Sequence, residues 1–276
     1  MKIVSLKDIE PKGANFILSK YLPIPENAVT LLSALGGTGK TRLSLIMASK
    51  FISETKGDYN VSLWLTEDYQ GQVREIFDNM IKDRLVEDWT ISNMLLILDE
   101  PPQLAKRDKG LFKANYEEIS KIGNFLIDRN VKLAIFDPLL AFYGGNENDN
   151  SEARVFIQSF ATWANKAEIT TIIIHHASKD GGSRGATAFH DGVRARYELD
   201  IPKDKDNNPN KDLMSRGFRV AKLKKDNWGI RKHLWKLTDG SDEITLKVAP
   251  EMKREIIPIE VEFKNDNDFL GEIWKQ

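Results

Sequence analysis

The sequence predicts an α/β fold: a mostly parallel, twisted sheet with helices on both faces and antiparallel strands at the C-terminal end. Three observations predict it. Short apolar runs alternate with amphipathic stretches at helical spacing. The runs are near-continuous, as expected of strands buried on both faces. Each run closes on polar or charged residues, at the edge where open parallel sheets place their ligands.

Length and composition set the bounds. The chain of 276 residues is long enough for one large domain or a domain with a small appendage. The division expected is a lead-in over 1–27, a core over 28–236, and a C-terminal hairpin and tail over 237–276. The formal net charge is -1, so any nucleic-acid surface must be a local patch. There is no cysteine, which excludes disulfides, thiolate metal sites and cysteine nucleophiles. The first residues lack the apolar core of a signal peptide, and no run approaches membrane-spanning length. A cytoplasmic location with no membrane contact is expected.

In chain order, Pro11, Pro23 and Pro25 break up the lead-in. The strand Val29-Thr30-Leu31-Leu32-Ser33-Ala34 then runs into Leu35-Gly36-Gly37-Thr38-Gly39-Lys40-Thr41-Arg42 and a helix with Leu43, Ile46, Met47 and Phe51 on one face. Strand, glycine-rich turn, Lys-Thr and helix together describe a phosphate-binding loop. The glycines let successive backbone N–H groups curl around a phosphate at a helix N-terminus. Lys40 adds a mobile charge for the β- and γ-phosphates, and the Thr41 hydroxyl is placed for Mg²⁺. Ala34 stands where the usual pattern begins with Gly, and a small residue suffices there. The cofactor implied is a nucleotide with Mg²⁺.

Beyond the loop, Val61–Leu65 reads as a strand ending at Thr66-Glu67-Asp68, followed by a helix with Val73, Ile76, Phe77 and Met80 on one face. The run 94–98 closes on Asp99-Glu100-Pro101-Pro102, and a charged loop leads to a helix near 114–129. The strand 132–136 ends at Asp137, a helix spans about 151–167, and the strand 169–174 ends in His175-His176. Four polar strand ends therefore compete for roles around the phosphate. By local pattern alone the run 95–98 closing on Asp99-Glu100 is the better metal-carboxylate motif, since it would give both a Mg²⁺ ligand and a general base, with Asp137 as its rival.

The second half contains His175-His176-Ala177-Ser178-Lys179, Ser183-Arg184-Gly185, Asp191-Gly192-Val193-Arg194 and Lys225-Asp226-Asn227-Trp228-Gly229 in that order. With the phosphate loop, Thr66-Glu67-Asp68 and Phe136-Asp137-Pro138, these resemble the RepA-type hexameric replicative helicases, within the wider class of RecA-like, DnaB-related motor ATPases of the P-loop AAA kind. The resemblance covers roughly residues 25–235. It implies a RecA-like P-loop fold and Mg²⁺-dependent ATP hydrolysis by a hexameric ring working on DNA in replication.

Residue by residue, the resemblance makes Glu67 the activator of the attacking water and Asp137 the Mg²⁺ carboxylate, leaving Asp99-Glu100 as a capped strand end. It makes His176, with His175 beside it, a sensor of the γ-phosphate. Adjacent strand residues point to opposite faces, so one of the two imidazoles faces nucleotide, and His176 is favoured. Arg194 matches an arginine finger offered to a neighbouring subunit, with Arg184 as runner-up and Lys225 as a companion. Loops beyond the histidines would grip single-stranded DNA, with Lys179 and Arg184 as phosphate contacts. The polar run 203–210 looks mobile, and its alternating charge argues against a DNA grip of its own. The basic stretch 211–236, with Trp228 and Trp235, reads equally as a single-strand platform or a solvated antiparallel hairpin. Two other readings stay open: a non-motor regulatory or recombination ATPase on the same core, and a small-molecule P-loop kinase.

Overall fold

The computed structural model describes residues 4–8, 13–176 and 187–251. Its strands and α-helices run in the order β1 (Phe16–Ile17), β2 (Ile24–Pro25), β3 (Val29–Ala34), α1 (Lys40–Glu54), β4 (Asn60–Leu65), α2 (Gln70–Lys82), β5 (Met94–Leu96), β6 (Ala105–Asp108), β7 (Leu111–Ala114), α3 (Tyr116–Asp128), β8 (Val131–Asp137), β9 (Tyr143–Gly144), α4 (Asn150–Ala167), β10 (Thr170–His176), α5 (Ala188–Gly192), β11 (Ala195–Asp200), α6 (Lys211–Ser215), β12 (Phe218–Asp226), α7 (Ile230–Thr238) and β13 (Glu243–Lys247). The main sheet has eight strands in the order β13-β12-β11-β3-β10-β8-β4-β5. From β11 to β5 every pairing is parallel, and β12 and β13 close one side antiparallel. This is the architecture expected from the sequence.

Strand β3 explains why the sheet is centred where it is. All six of its residues are buried, because β10 and β11 flank it and both faces are covered. Alternation then sorts its side chains. Leu32 and Ala34 join Leu63, Leu65, Ile135 and Ile174 in the core beneath α1 and α2. Val29 and Leu31 join Trp64, Phe136 and Ile173 in the opposite core, against Ile119 and Ile122 of α3 and Phe156 and Phe160 of α4. Each fully buried leucine or isoleucine of this kind stabilises the fold by about 2 kcal/mol.

Register brings the carboxyl ends of four strands to one edge. His176 of β10 lies beside Ala34 of β3, and Asp137 of β8 lies beside Leu65 of β4. Residues that follow these strands are thereby gathered within a few side-chain lengths of each other.

Several local expectations are corrected. The lead-in contains the β1–β2 hairpin, which carries Ile17, Leu18, Leu22 and Ile24 into the core. The charged loop after Pro102 contains a second hairpin, β6–β7, turned at Lys109 and Gly110, both at positive φ, and joined by β9 into a three-stranded sheet. The run 94–98 yields only the three-residue edge strand β5, and Leu98 is exposed.

The stretch 211–236 is not a hairpin. It contains α6, β12 and the start of α7, whose first backbone N–H groups, from Trp228 to Arg231, all donate to the Asp226 carboxylate. Residues 203–210 close into a turn held by the Asp204 carboxylate and a bridge between Lys203 and Pro209. Within the segment expected to form a terminal hairpin and tail, the described residues include β13, on the edge of β12, and residues 252–276 lie outside the described residues. Among the described residues, no helix is long and apolar enough to cross a membrane.

Candidate active site

The loop between β3 and α1 is shaped by two glycines. Gly37 and Gly39 have φ of 74° and 91°, which a side chain would strain. A Cβ on Gly36 or Gly37 would meet no protein atom within 4 Å, so their backbone borders open space. Two bonds brace the loop from within and without. The Thr38 hydroxyl donates to the Leu35 carbonyl at 2.8 Å, and Arg219 Nε, reaching over from β12, donates to the Thr38 carbonyl at 3.0 Å. Partial burial and the charge of Arg42 hold the Arg219 guanidinium below its ordinary pKa.

Lys40 opens α1 and is largely buried. Its ammonium donates to His176 Nδ1 at 3.2 Å. That contact leaves the imidazole proton for Nε2, which lies 3.3 Å from Glu67 Oε1, close enough for charge to be felt but not aligned as a hydrogen bond. Lys40, His176 and Glu67 thus form one line from the loop, through the end of β10, to the turn after β4. The Glu67 side chain is 59% exposed, so water reaches it.

Asp137 sits differently. It is 4% exposed, and one carboxyl oxygen, Oδ1, has no hydrogen-bond partner. Burial pushes its pKa up to about 7; the Lys40 charge opposes this, and the Glu67 and Asp68 charges add to it. Its backbone carbonyl accepts from the Thr66 N–H and hydroxyl at 3.0 and 3.2 Å, tying the ends of β4 and β8 together. A buried carboxyl oxygen without a partner, a nearby threonine hydroxyl and an open glycine cradle fit a nucleotide phosphate with its divalent cation. Thr41 and Asp137 are the residues that would hold the cation, and Gly36 to Lys40 the phosphates.

The two histidines separate as strand alternation requires. His175 is 1% exposed and packs against the rings of Phe189 and His190, at centroid distances of 5.7 and 5.6 Å. Only His176 meets Lys40 and Glu67. Asp99 and Glu100 line an edge groove with Trp64, Pro102 and Phe125, outside this cluster.

Arg194 precedes β11 and is exposed. Since Ala195 pairs with Thr30 and the phosphate loop begins only after Ala34, Arg194 lies at the far edge of the sheet, about 15 Å from its own loop at the usual strand rise. Lys225 is bound to the carbonyls of Asp191 and His190 at 2.6 and 3.3 Å, which holds the turn before Arg194. Lys179 and Arg184 lie outside the described residues.

Two residues of the cluster went unassigned in the sequence. Arg219 carries no local signal, since 181 positions separate it from its partner Thr38. Asp68 did carry one, as the neighbour of Glu67. Its carboxylate accepts the Thr41 hydroxyl proton at 2.6 Å.

Comparison with known proteins agrees with this geometry. The family profile described as "AAA domain" matches residues 20–182, more than half of the chain, and spans the phosphate loop, Glu67, Asp137 and His176. Comparison with curated proteins returns no match. With a RecA-like P-loop sheet, a glycine cradle and a buried carboxylate at adjoining strand ends, the chain belongs to the AAA domain family of P-loop ATPases.

Proposed function

We propose that this protein is a Mg²⁺-dependent ATPase that assembles into a ring, a hexamer by its resemblance to RepA-type helicases, and acts as a DNA motor in replication. The observation that carries the hydrolytic reading is the line Lys40–His176–Glu67 beside buried Asp137. A lysine ammonium, an imidazole and an accessible carboxylate within about one contact of each other support that reading.

In this reading the loop N–H groups and Lys40 bind the β- and γ-phosphates, and Thr41 and Asp137 hold the cation. Bound Mg²⁺ neutralises charge on the phosphate oxygens. Glu67 positions a water and accepts its proton as the oxygen attacks the γ-phosphorus and ADP leaves. His176, in contact with both Lys40 and Glu67, ties the state of the phosphate site to β10 and the loop after it.

Arg194 is the second half of the proposal. An arginine at the far edge of the sheet serves its own phosphate loop poorly and a neighbour's well, where it would stabilise the charge developing on the γ-phosphate. That placement favours shared sites over a self-contained monomeric kinase. Single-stranded DNA as the partner rests on the resemblance, with Lys179 and Arg184 as the proposed phosphate contacts.

The deciding experiment is the ATPase rate with and without single-stranded DNA, alongside the mass of the species in solution and a strand-displacement assay on a forked duplex. DNA-stimulated turnover by a multi-subunit species supports the motor. A DNA-indifferent monomer overturns it, and DNA-stimulated hydrolysis without strand separation would point to a non-motor ATPase instead.

A further inference from the structure

The Thr41 hydroxyl has one proton and two lone pairs, and its proton is already committed. It points to Asp68 Oδ2 at 2.6 Å, a short bond to an acceptor of a kind that holds the hydroxyl rotor in one orientation. A hydroxyl that is to bind a cation through a lone pair has to send its proton elsewhere. In this chain the group that takes it is not the buried carboxylate Asp137, whose Oδ1 is left without a partner, but the residue after Glu67.

We propose that Asp68 is a positioning residue for the metal, acting through Thr41. By accepting the hydroxyl proton it aims the Thr41 lone pairs at the cation and makes the oxygen a better ligand. Asp137 Oδ1, which has no hydrogen-bond partner, would remain available to the cation. The division of labour follows from the topology. Asp68 lies on the open turn after β4, facing the first turn of α1, while Asp137 ends β8 deeper in the sheet.

The inference rests on the ATPase reading above, and it reaches past that reading to which carboxylate sets the affinity for the cation. It requires that metal affinity and nucleotide affinity respond separately. Loss of Asp68 frees the hydroxyl to rotate but leaves Lys40 and the loop N–H groups untouched.

The test is equilibrium binding of a fluorescent ATP analogue, first in EDTA and then across a Mg²⁺ titration, for the wild type, Asp68→Ala and Asp68→Asn. Asp68→Ala is expected to raise the half-saturating Mg²⁺ concentration about tenfold or more, while affinity in EDTA stays within about twofold. Asp68→Asn, whose amide oxygen still accepts the proton, is expected to fall between the two. A Mg²⁺ titration of Asp68→Ala superimposed on that of the wild type overturns the inference alone. So does an equal loss of affinity with and without Mg²⁺, which would make Asp68 a structural support of the loop. Wild-type protein that takes up no nucleotide at any Mg²⁺ concentration overturns the site itself.

Discussion

Lys40 Nζ lies 3.2 Å from His176 Nδ1, although 136 positions separate them, because β10 pairs with β3 so that His176 stands beside Ala34 at the mouth of the phosphate loop. The contact joins the two ends of the family-matched segment. It also means that Lys40 and Glu67, the proposed base, share one intermediary.

Substituting either end of that line separates binding from turnover. Lys40→Ala is expected to abolish hydrolysis and weaken nucleotide affinity at least tenfold. His176→Ala, which removes the link but no phosphate ligand, is expected to lower kcat about 100-fold, the low end of the scale for a positioned acid–base group. Its nucleotide Kd should stay within about threefold. Steady-state kinetics with parallel binding assays check this, and unchanged kcat in His176→Ala would remove the relay.

Arg194→Ala is expected to bind nucleotide normally and to lose turnover about 10³-fold. Mixing it with Lys40→Ala distinguishes a neighbour's site from the chain's own. In mixed assemblies an intact phosphate loop meets an intact Arg194 across some interfaces, so activity should reappear. No recovery over the full range of mixing ratios, with mixed assembly verified, would place the function of Arg194 elsewhere.

Asp137 makes the metal-free protein pH-dependent. Burial raises its carboxyl pKa from 3.8 to about 7, so between those values the folded state holds a proton that the unfolded state has lost. The contribution of Asp137 to stability therefore falls as pH rises from about 4 to about 7 and flattens above. The three-unit gap corresponds to about 4 kcal/mol as an upper bound. In EDTA, Tm should decline across this window, and Asp137→Asn should remove most of the decline. Urea melts at pH 5 and pH 8 measure it, and a wild-type slope matched by Asp137→Asn would count against the buried-acid account.

Arg219 braces the phosphate loop from β12 through one charge-assisted bond to the Thr38 carbonyl. Such a bond contributes about 1.5–3 kcal/mol. Arg219→Ala should therefore weaken nucleotide binding about 10-fold while lowering Tm by only a few degrees. A Kd equal to wild type would show that the loop holds its shape without the brace.

The phosphate loop was legible because its chemistry is local. Val29 to Thr41 contains strand, turn, cation and hydroxyl within 13 positions, and the structure arranges them in that order. That His175 and His176 face opposite ways followed from strand alternation, a rule that needs no tertiary knowledge, while the preference for His176 came with the family resemblance. By contrast the β6–β7 hairpin has no alternation to read, since Ala-Lys-Arg-Asp is polar on both faces apart from its first residue. The helix after Gly229 was hidden by its basic residues, and Asp226 capping its first turn together with the burial of Ile230 and Leu234 explains it.

Sequence alone determined the fold class, the parallel centre of the sheet and the identity of the phosphate loop, since short-range periodicity and backbone geometry encode all three. Tertiary structure decided which distant groups meet there. Strand order set His176 against Lys40, antiparallel closure by β12 brought Arg219 to Thr38, and burial at the end of β8 gave Asp137 its raised pKa. Asp68 stands between the two. Its place in the sequence was plain, but its bond to Thr41 exists only because β4 and α1 are held side by side on the same sheet.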